Sequence, residues 1–515
     1  MVHSRWIVIS GLLIWGCQRE APLPSDTLRI GLLAPYASLD PIYARDQISV
    51  WLVQQLFRGL LGYDSEMRLV PDAASRWEVS ADGQTYRFYL RTDLTYARHP
   101  HRHLRARDVV YSWHRLANPR SASPGSYLFR GIIKGWAEYE QGKASTIAGL
   151  RILSDSVLEV QLEKPYALFL HLLTVPYAAI VLPEAAESLG RAFAYAPVGL
   201  GDFYLLHEER GRLLVLKRDT GAVRKLVFRW YANRLWAWEA LKRGEIDAFE
   251  GTDRALEYLL AQNNDWKRFV ERLSIPQVGT EYLGMDIRSE SPFADRAVRH
   301  ALRALIQRLP LKEALGLDCT PASSFIPPPL LDTLKVAMKS PPSIDLSVLR
   351  KINLTLYASP AFRELCEYLQ TALAREGITL HVEYLLGPSL REQIAKGTIH
   401  LWKGSWLADF PEGENFLILF ESSQQVPVGP NTTRFAHPLM DSLIHQVRRT
   451  TDEKQRRFLY TRAESLITAE APVIPLYHAH GVWFVHKRVR NFPRSRLPVW
   501  LPLREVKLEP QGMEW

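Results

Sequence analysis

Residues 351–385 read "KINLTLYASPAFRELCEYLQTALAREGITLHVEYL". Ile352, Leu354 and Leu356 alternate with polar neighbours, the period of a half-buried strand, and Pro360 ends the run. Phe362, Leu365, Cys366, Leu369, Ala372 and Leu373 then recur at helical spacing, and Gly377 stands where a helix terminates in a left-handed residue. Alternation resumes at Ile378, Leu380, Val382 and Tyr384. Strand, helix and strand at this spacing make a βαβ unit, which requires parallel pairing and a right-handed crossover. The fold class is therefore α/β, and sheets of this kind bind ligands at the carboxyl ends of their strands.

Outward from this unit the chain mixes both element types. "DQISVWLVQQLFRGL" (46–60) predicts a helix stopping near Gly59, and "QTYRFYLR" (84–91) and "DSVLEVQL" (155–162) predict strands. "RDVVYSWHRLANP" (107–119) predicts a helix behind an Asp108 cap that ends before Pro119. A chain of 515 residues exceeds one ordinary hydrophobic core, so two or three lobes around a cleft are expected. No internal repeat is evident.

The composition is that of a globular protein, with 47% hydrophobic and 23% charged residues. The net charge of +9 is dispersed, and the one dense basic run, "HPHRHLRAR" (99–107), reads as a solvated surface. Nucleic acid is not an expected partner. The N-terminal "MVHSRWIVISGLLIWGC" (1–17) has a basic start at Arg5 and eleven largely apolar residues from Trp6 to Gly16. That is short of the roughly 20 residues a membrane span needs and fits the core of an export signal. Ile14-Trp15-Gly16-Cys17 resembles the bacterial lipoprotein box, which implies lipidation of Cys17, a signal peptide over 1–16 and a polar tether over 17–27. Gln18 in place of aspartate points to outer-membrane sorting where a cell has two membranes. Cys319 and Cys366 then reside in an oxidising compartment, either as one disulfide or as buried thiols.

Motifs for catalysis are absent: there is no G-x-S-x-G, H-E-x-x-H, S-x-x-K, Walker A or G-x-G-x-x-G, and "GLGDF" (199–203) lacks a third glycine. His99, His101 and His103 alternate among arginines that oppose a cation, and His478 and His480 repeat the spacing at a strand end; neither set is read as a metal site. No cofactor is expected. "SWLADFPEGENFL" (405–417) poses a sharper question, because Asp409 sits between a tryptophan and a phenylalanine-proline corner. A carboxylate in such company must reach water or meet a cation.

Several blocks together carry a resemblance. They are "LRIGLLAPYASLDP", "QQLFRGLLGYDSEMRLVPDAASRWEVSADGQTYRFYLR", "RDVVYSWHRLANPRSASPGSYL", "PVGLGDFYLLHEERGRLLVLKRD", "LKRGEIDAF", "YLGMDIRSESPFADRAVRHAL", "GSWLADFPEGENFL" and "PVIPLYH". In this order, from about residue 28 to 485, they resemble the solute-binding proteins of bacterial oligopeptide ABC importers. The resemblance implies a two-lobed periplasmic-binding-protein type II fold with an additional α+β domain. It places lobe I at 28–50, 175–283 and 485–515, the additional domain at 51–174 and lobe II at 284–484. It implies a monomer that captures short peptides and delivers them to a permease with ATPase subunits, and not an enzyme. Other solutes on the same fold (a nickel chelate, a sugar, a signalling peptide) and a surface lipoprotein hydrolase are the alternatives.

The resemblance also assigns ligand-binding roles. Asp409 corresponds to the acidic contact for a peptide's amino terminus, and Trp406 to a wall of the first side-chain pocket. Tyr127 matches a position that helps cover the ligand from the second domain, and Tyr477 in "PLYH" is a further ligand-binding candidate. Lys403 lies six residues before Asp409, where close relatives carry arginine for the peptide carboxylate. Lysine is a point charge without the bidentate fork, so carboxylate recognition and preferred peptide length are expected to differ. "LTYARHPHRHLRARD" (94–108) replaces the family's acidic-glycine turn and is expected to lie away from the ligand.

Overall fold

The structure is a computed structural model that describes residues 26–331 and 345–509. The expected signal peptide, Cys17, Gln18 and most of the expected tether lie outside the described residues. Thr27, the last tether residue expected, already belongs to the first strand, Thr27–Leu32.

The βαβ unit forms as its periodicity requires. Strands Leu354–Ala358 and Leu380–Tyr384 flank the helix Arg363–Arg375 and pair in parallel from Leu354↔Leu380 to Ala358↔Tyr384. Gly377 ends the helix at φ +72°. The Ile378 N–H donates to the Leu373 carbonyl and the Gly377 N–H to that of Ala374, each at 3.0 Å. Both bonds satisfy carbonyls the helix itself leaves open. Leu365, Cys366, Leu369, Ala372 and Leu373 are the buried face.

Twelve strands make one mixed sheet that serves two lobes. In lobe I the neighbours run Tyr204–Glu209, Leu213–Lys217, Lys225–Trp230, Thr27–Leu32 and Ala248–Glu250. In lobe II they run Gly279–Met285, Leu401–Leu407, Leu354–Ala358 and Leu380–Tyr384. The strand Val473–His486 joins them. Its first half pairs with Gly279–Met285 and its second half with Val270–Pro276 and Ala248–Glu250. Pro276 faces His480 across this ladder, and the next strand, Gly279–Met285, begins three residues later.

The additional domain is a four-stranded antiparallel sheet in the order Ala74–Val79, Thr85–Leu90, Val157–Gln161, Leu150–Ser154, with the helix Ala106–Ala117. Phe88, Trp113, Phe129, Trp136 and Phe169 are fully buried in its core, and that core is continuous with Phe410, Phe416 and Phe420 of lobe II. The expectation that Asp108 caps the helix is corrected. Arg105 is the cap residue, and Asp108, in the first turn, reaches back to accept the Arg105 N–H at 2.9 Å. Asp108 is wholly buried and ion-paired to Arg102 at 2.6 Å, so the basic run supplies its own counter-charge. His99, His101 and His103 lie on the strand His99–His103, and all three are exposed.

Cys319 and Cys366 are both free and buried, which decides between the two expected states. Burial in apolar surroundings pushes both thiols up to about 11, so neither is a ready nucleophile. Among the described residues no helix is long and apolar enough to cross a membrane, and no group of three or more His, Cys, Asp or Glu could hold a metal ion.

Candidate functional site

Asp409 stands just past the carboxyl end of the strand Leu401–Leu407. That strand is held in register by Gly279–Met285 up to Gly279↔Leu407, and the Ala408 N–H still donates to the Val278 carbonyl at 2.9 Å. The ladder thus fixes the backbone up to the residue before the acid. Asp409 then faces a cavity of about 680 Å³ between lobe II and the additional domain.

The cavity wall is aromatic. Trp406 is half-buried in it, oriented by its indole N–H, which donates to the Asn415 carbonyl at 2.8 Å and the Asn415 side chain at 3.1 Å. Opposite stand Tyr127, in the short turn Ser126–Phe129, and Tyr177, in Pro176–Ala178. A β-carbon on Gly125 would lie 2.4 Å from the Tyr177 ring, so that ring seats directly against a glycine backbone. Burial raises the pKa of both phenols and the Asp409 charge adds to that rise, which places the three groups within each other's field.

Asp409 has open surface toward the cavity, yet protein surrounds it on its other sides. That enclosure pushes its carboxyl up to about 6, and a hydrogen bond from Asn415 only partly offsets it. Among the described residues it has no ion-pair partner. Of the cations in the wall, Arg448 binds Glu414 and Glu421 at 2.7–2.8 Å and Arg130 binds Glu140 at 2.7 Å, while Arg45, Lys164 and Arg449 also line it. The pocket therefore presents, amid rings, a carboxylate that has no ion-pair partner among the described residues, an arrangement suited to an ammonium group.

Lys403 and Tyr477 lie outside this cavity. Tyr477 lines a second space of about 950 Å³ between the two lobes, which meets the first at Asp46 and Gln47. The Lys403 side chain has no exposed surface. It is ion-paired to Glu281, donates to the Gly404 carbonyl at 2.7 Å and lies 3.7 Å over the Phe362 ring. Its charge is spent internally, and burial lowers its pKa while Glu281 opposes that shift. Tyr177, Asn415 and Glu281 were not singled out in the sequence. Glu281 could have been found as the cross-strand neighbour of Ser405, a register that needs the sheet. The 94–108 segment shares no lining residue with either space.

Residues 68–427 match the family model of bacterial extracellular solute-binding proteins, family 5. The chain belongs to this family. The probable deoxycholate-binding periplasmic protein YgiS of Escherichia coli K12 is 26% identical over 91% of each chain. The glutathione-binding protein GsiB of Salmonella typhimurium is 24% identical over 92% of this chain and 93% of its own. The murein tripeptide binding protein MppA of Escherichia coli superposes with a TM-score of 0.81 at 22% identity, covering 95% of this chain and 99% of its own. The likeness to MppA establishes the two-lobed fold of periplasmic binding proteins.

Proposed function

We propose that this protein captures short peptides between its lobes, grips their free amino terminus with Asp409 and delivers them to an ABC importer permease. The observation that carries this reading is the enclosed carboxylate with no cation of its own. An ammonium supplies charge and three donors at once, whereas a blocked amine leaves the carboxylate unpaired in an enclosed site. The names of the relatives fit unevenly. Glutathione and a murein tripeptide each carry a free ammonium, while deoxycholate presents a carboxylate that Asp409 would repel. The charge in the pocket therefore favours a peptide over a bile acid.

Beyond the amino terminus, an extended ligand backbone would bond to protein main chain, so affinity would be insensitive to most side chains. Side chains would lie in roomy spaces where water adapts to each. Closure of the lobes on the ligand would produce the form the permease reads. Lipidation of Cys17 would hold the protein to a bacterial membrane, facing the extracytoplasmic side.

Mass spectrometry of small molecules released on denaturing the purified protein, residues 18–515, tests the reading. Short peptides with free amino ends are the expected result. A bile acid, sugar or metal chelate in their place would overturn the substrate class.

A further inference from the structure

The interlobe cleft holds a second carboxylate built like the first. Glu250 ends the strand Ala248–Glu250, which runs parallel to Thr27–Leu32 in lobe I. It occupies the same topological place in lobe I, the carboxyl end of a parallel strand, that Asp409 occupies in lobe II. The Gly481 backbone lies beneath it; a β-carbon there would sit 2.3 Å from the Gln277 amide and 3.2 Å from the Glu250 carboxylate. The missing side chain leaves both groups bare toward the cleft.

Among the described residues six carboxylates line this cleft, and five have an ion-pair partner or cap a backbone N–H. Asp46 accepts the Ser49 N–H at 2.9 Å, and Asp253 pairs with Arg234 at 3.6 Å. Glu281 pairs with Lys403, Asp318 with Arg272, and Glu364 with Arg254 at 3.9 Å. Among the described residues Glu250 has only the Gln47 and Gln277 side-chain amides as partners, both at 3.5 Å, the long limit of a hydrogen bond. Arg234, the cation that acts on its charge, is engaged with Asp253. Enclosure accordingly pushes the Glu250 carboxyl up to about 8.

An amide pair at that distance orients the carboxylate without neutralising it. We propose that Glu250 forms a second cation subsite, so that the preferred ligand is a peptide carrying a basic side chain, ammonium or guanidinium, beyond the amino terminus held by Asp409. This deepens the peptide reading above and rests on it. Lys403, locked to Glu281, offers nothing to a ligand carboxylate, and each of the two connected spaces holds one carboxylate without an ion-pair partner among the described residues, Asp409 in one and Glu250 in the other.

Tetra-alanine and its variants with lysine or uncharged norleucine at position two, three or four are titrated into the whole protein at pH 8 by calorimetry. At one position lysine is expected to bind roughly ten- to a hundredfold tighter than norleucine, the range of a charge-assisted hydrogen bond. In Glu250→Gln, which keeps shape and amide contacts, that ratio should collapse to near one. Equal binding of lysine and norleucine at all three positions overturns the inference, as does a ratio that survives in the variant. Failure of tetra-alanine itself to bind, or its binding equally well when N-acetylated, overturns the peptide reading and this inference with it.

Discussion

Replacing Asp409 by asparagine should damage binding while improving the empty protein, a combination that a merely structural acid cannot produce. Removing one partner of an enclosed charge pair costs about 3–5 kcal/mol. The lower end applies here because the cavity admits water, which gives a loss of roughly a hundredfold in affinity for a free-amino peptide. In the ligand-free protein the sign reverses. The carboxyl has moved from 3.8 to about 6, so the folded state binds its proton more tightly than the unfolded chain does. Such a group costs nothing below pH 3.8 and its full penalty above 6. The shift corresponds to about 3 kcal/mol at most, and water at the carboxylate reduces that to about 1 kcal/mol. Asp409→Asn should therefore melt one or two degrees higher than the parent at pH 7.5, with the gap closing as pH falls through 6. Calorimetric titration with tri-alanine and a thermal melt of the same sample read both effects. Unchanged affinity, or a variant that melts several degrees lower, would refute the assignment.

The same pKa sets a pH profile. Affinity for tri-alanine should be flat near pH 7 and fall about tenfold per unit below 6, as Asp409 takes up a proton; in Asp409→Asn this acidic limb should vanish. Lys403→Met leaves Glu281 buried without its cation and should lower stability by about 3 kcal/mol in urea, and adding Glu281→Gln should recover most of it. Recovery failing would mean that packing over Phe362, not charge, is what the lysine supplies. Gly125→Ala puts a methyl group 2.4 Å from the Tyr177 ring and should weaken peptide binding about tenfold by displacing that wall, at a cost near 1–3 kcal/mol in stability. Retained affinity would show that Tyr177 does not touch the ligand.

What could be read in advance depended on the range of the interaction. The βαβ unit was legible because its signals are local: a period of two, a period of 3.6, and a glycine at the turn. Its first strand starts at Leu354 and not Ile352, since Ile352 belongs to the turn that precedes it. Asp409 was legible because the chemistry of a carboxylate between aromatics is visible in five residues. Lys403 looked ready for a ligand carboxylate, and its commitment to Glu281 was hidden because the partners are 122 positions apart and meet only through strand register. Glu250 was hidden for the same reason. Its isolation depends on Gln47, Gln277 and Gly481, contributed by three distant segments. Asp108 misled by one turn, since an acid in the first turn that reaches back to the cap N–H reads much like the cap itself.

The strand Val473–His486 has a mechanical consequence for the two lobes it joins. Loose linkers would let them slide, splay or rotate at little cost. Here one ribbon is clamped in the ladders of both, and the neighbouring strand is interrupted only between Pro276 and Gly279. Relative motion of the lobes must therefore bend or twist that ribbon, which is laddered on through His478–Gly481 by Cys319–Pro321 and Val270–Pro276. Any change in the spacing of Asp409 and Glu250, one in each lobe, is thus coupled to the twist of a single strand.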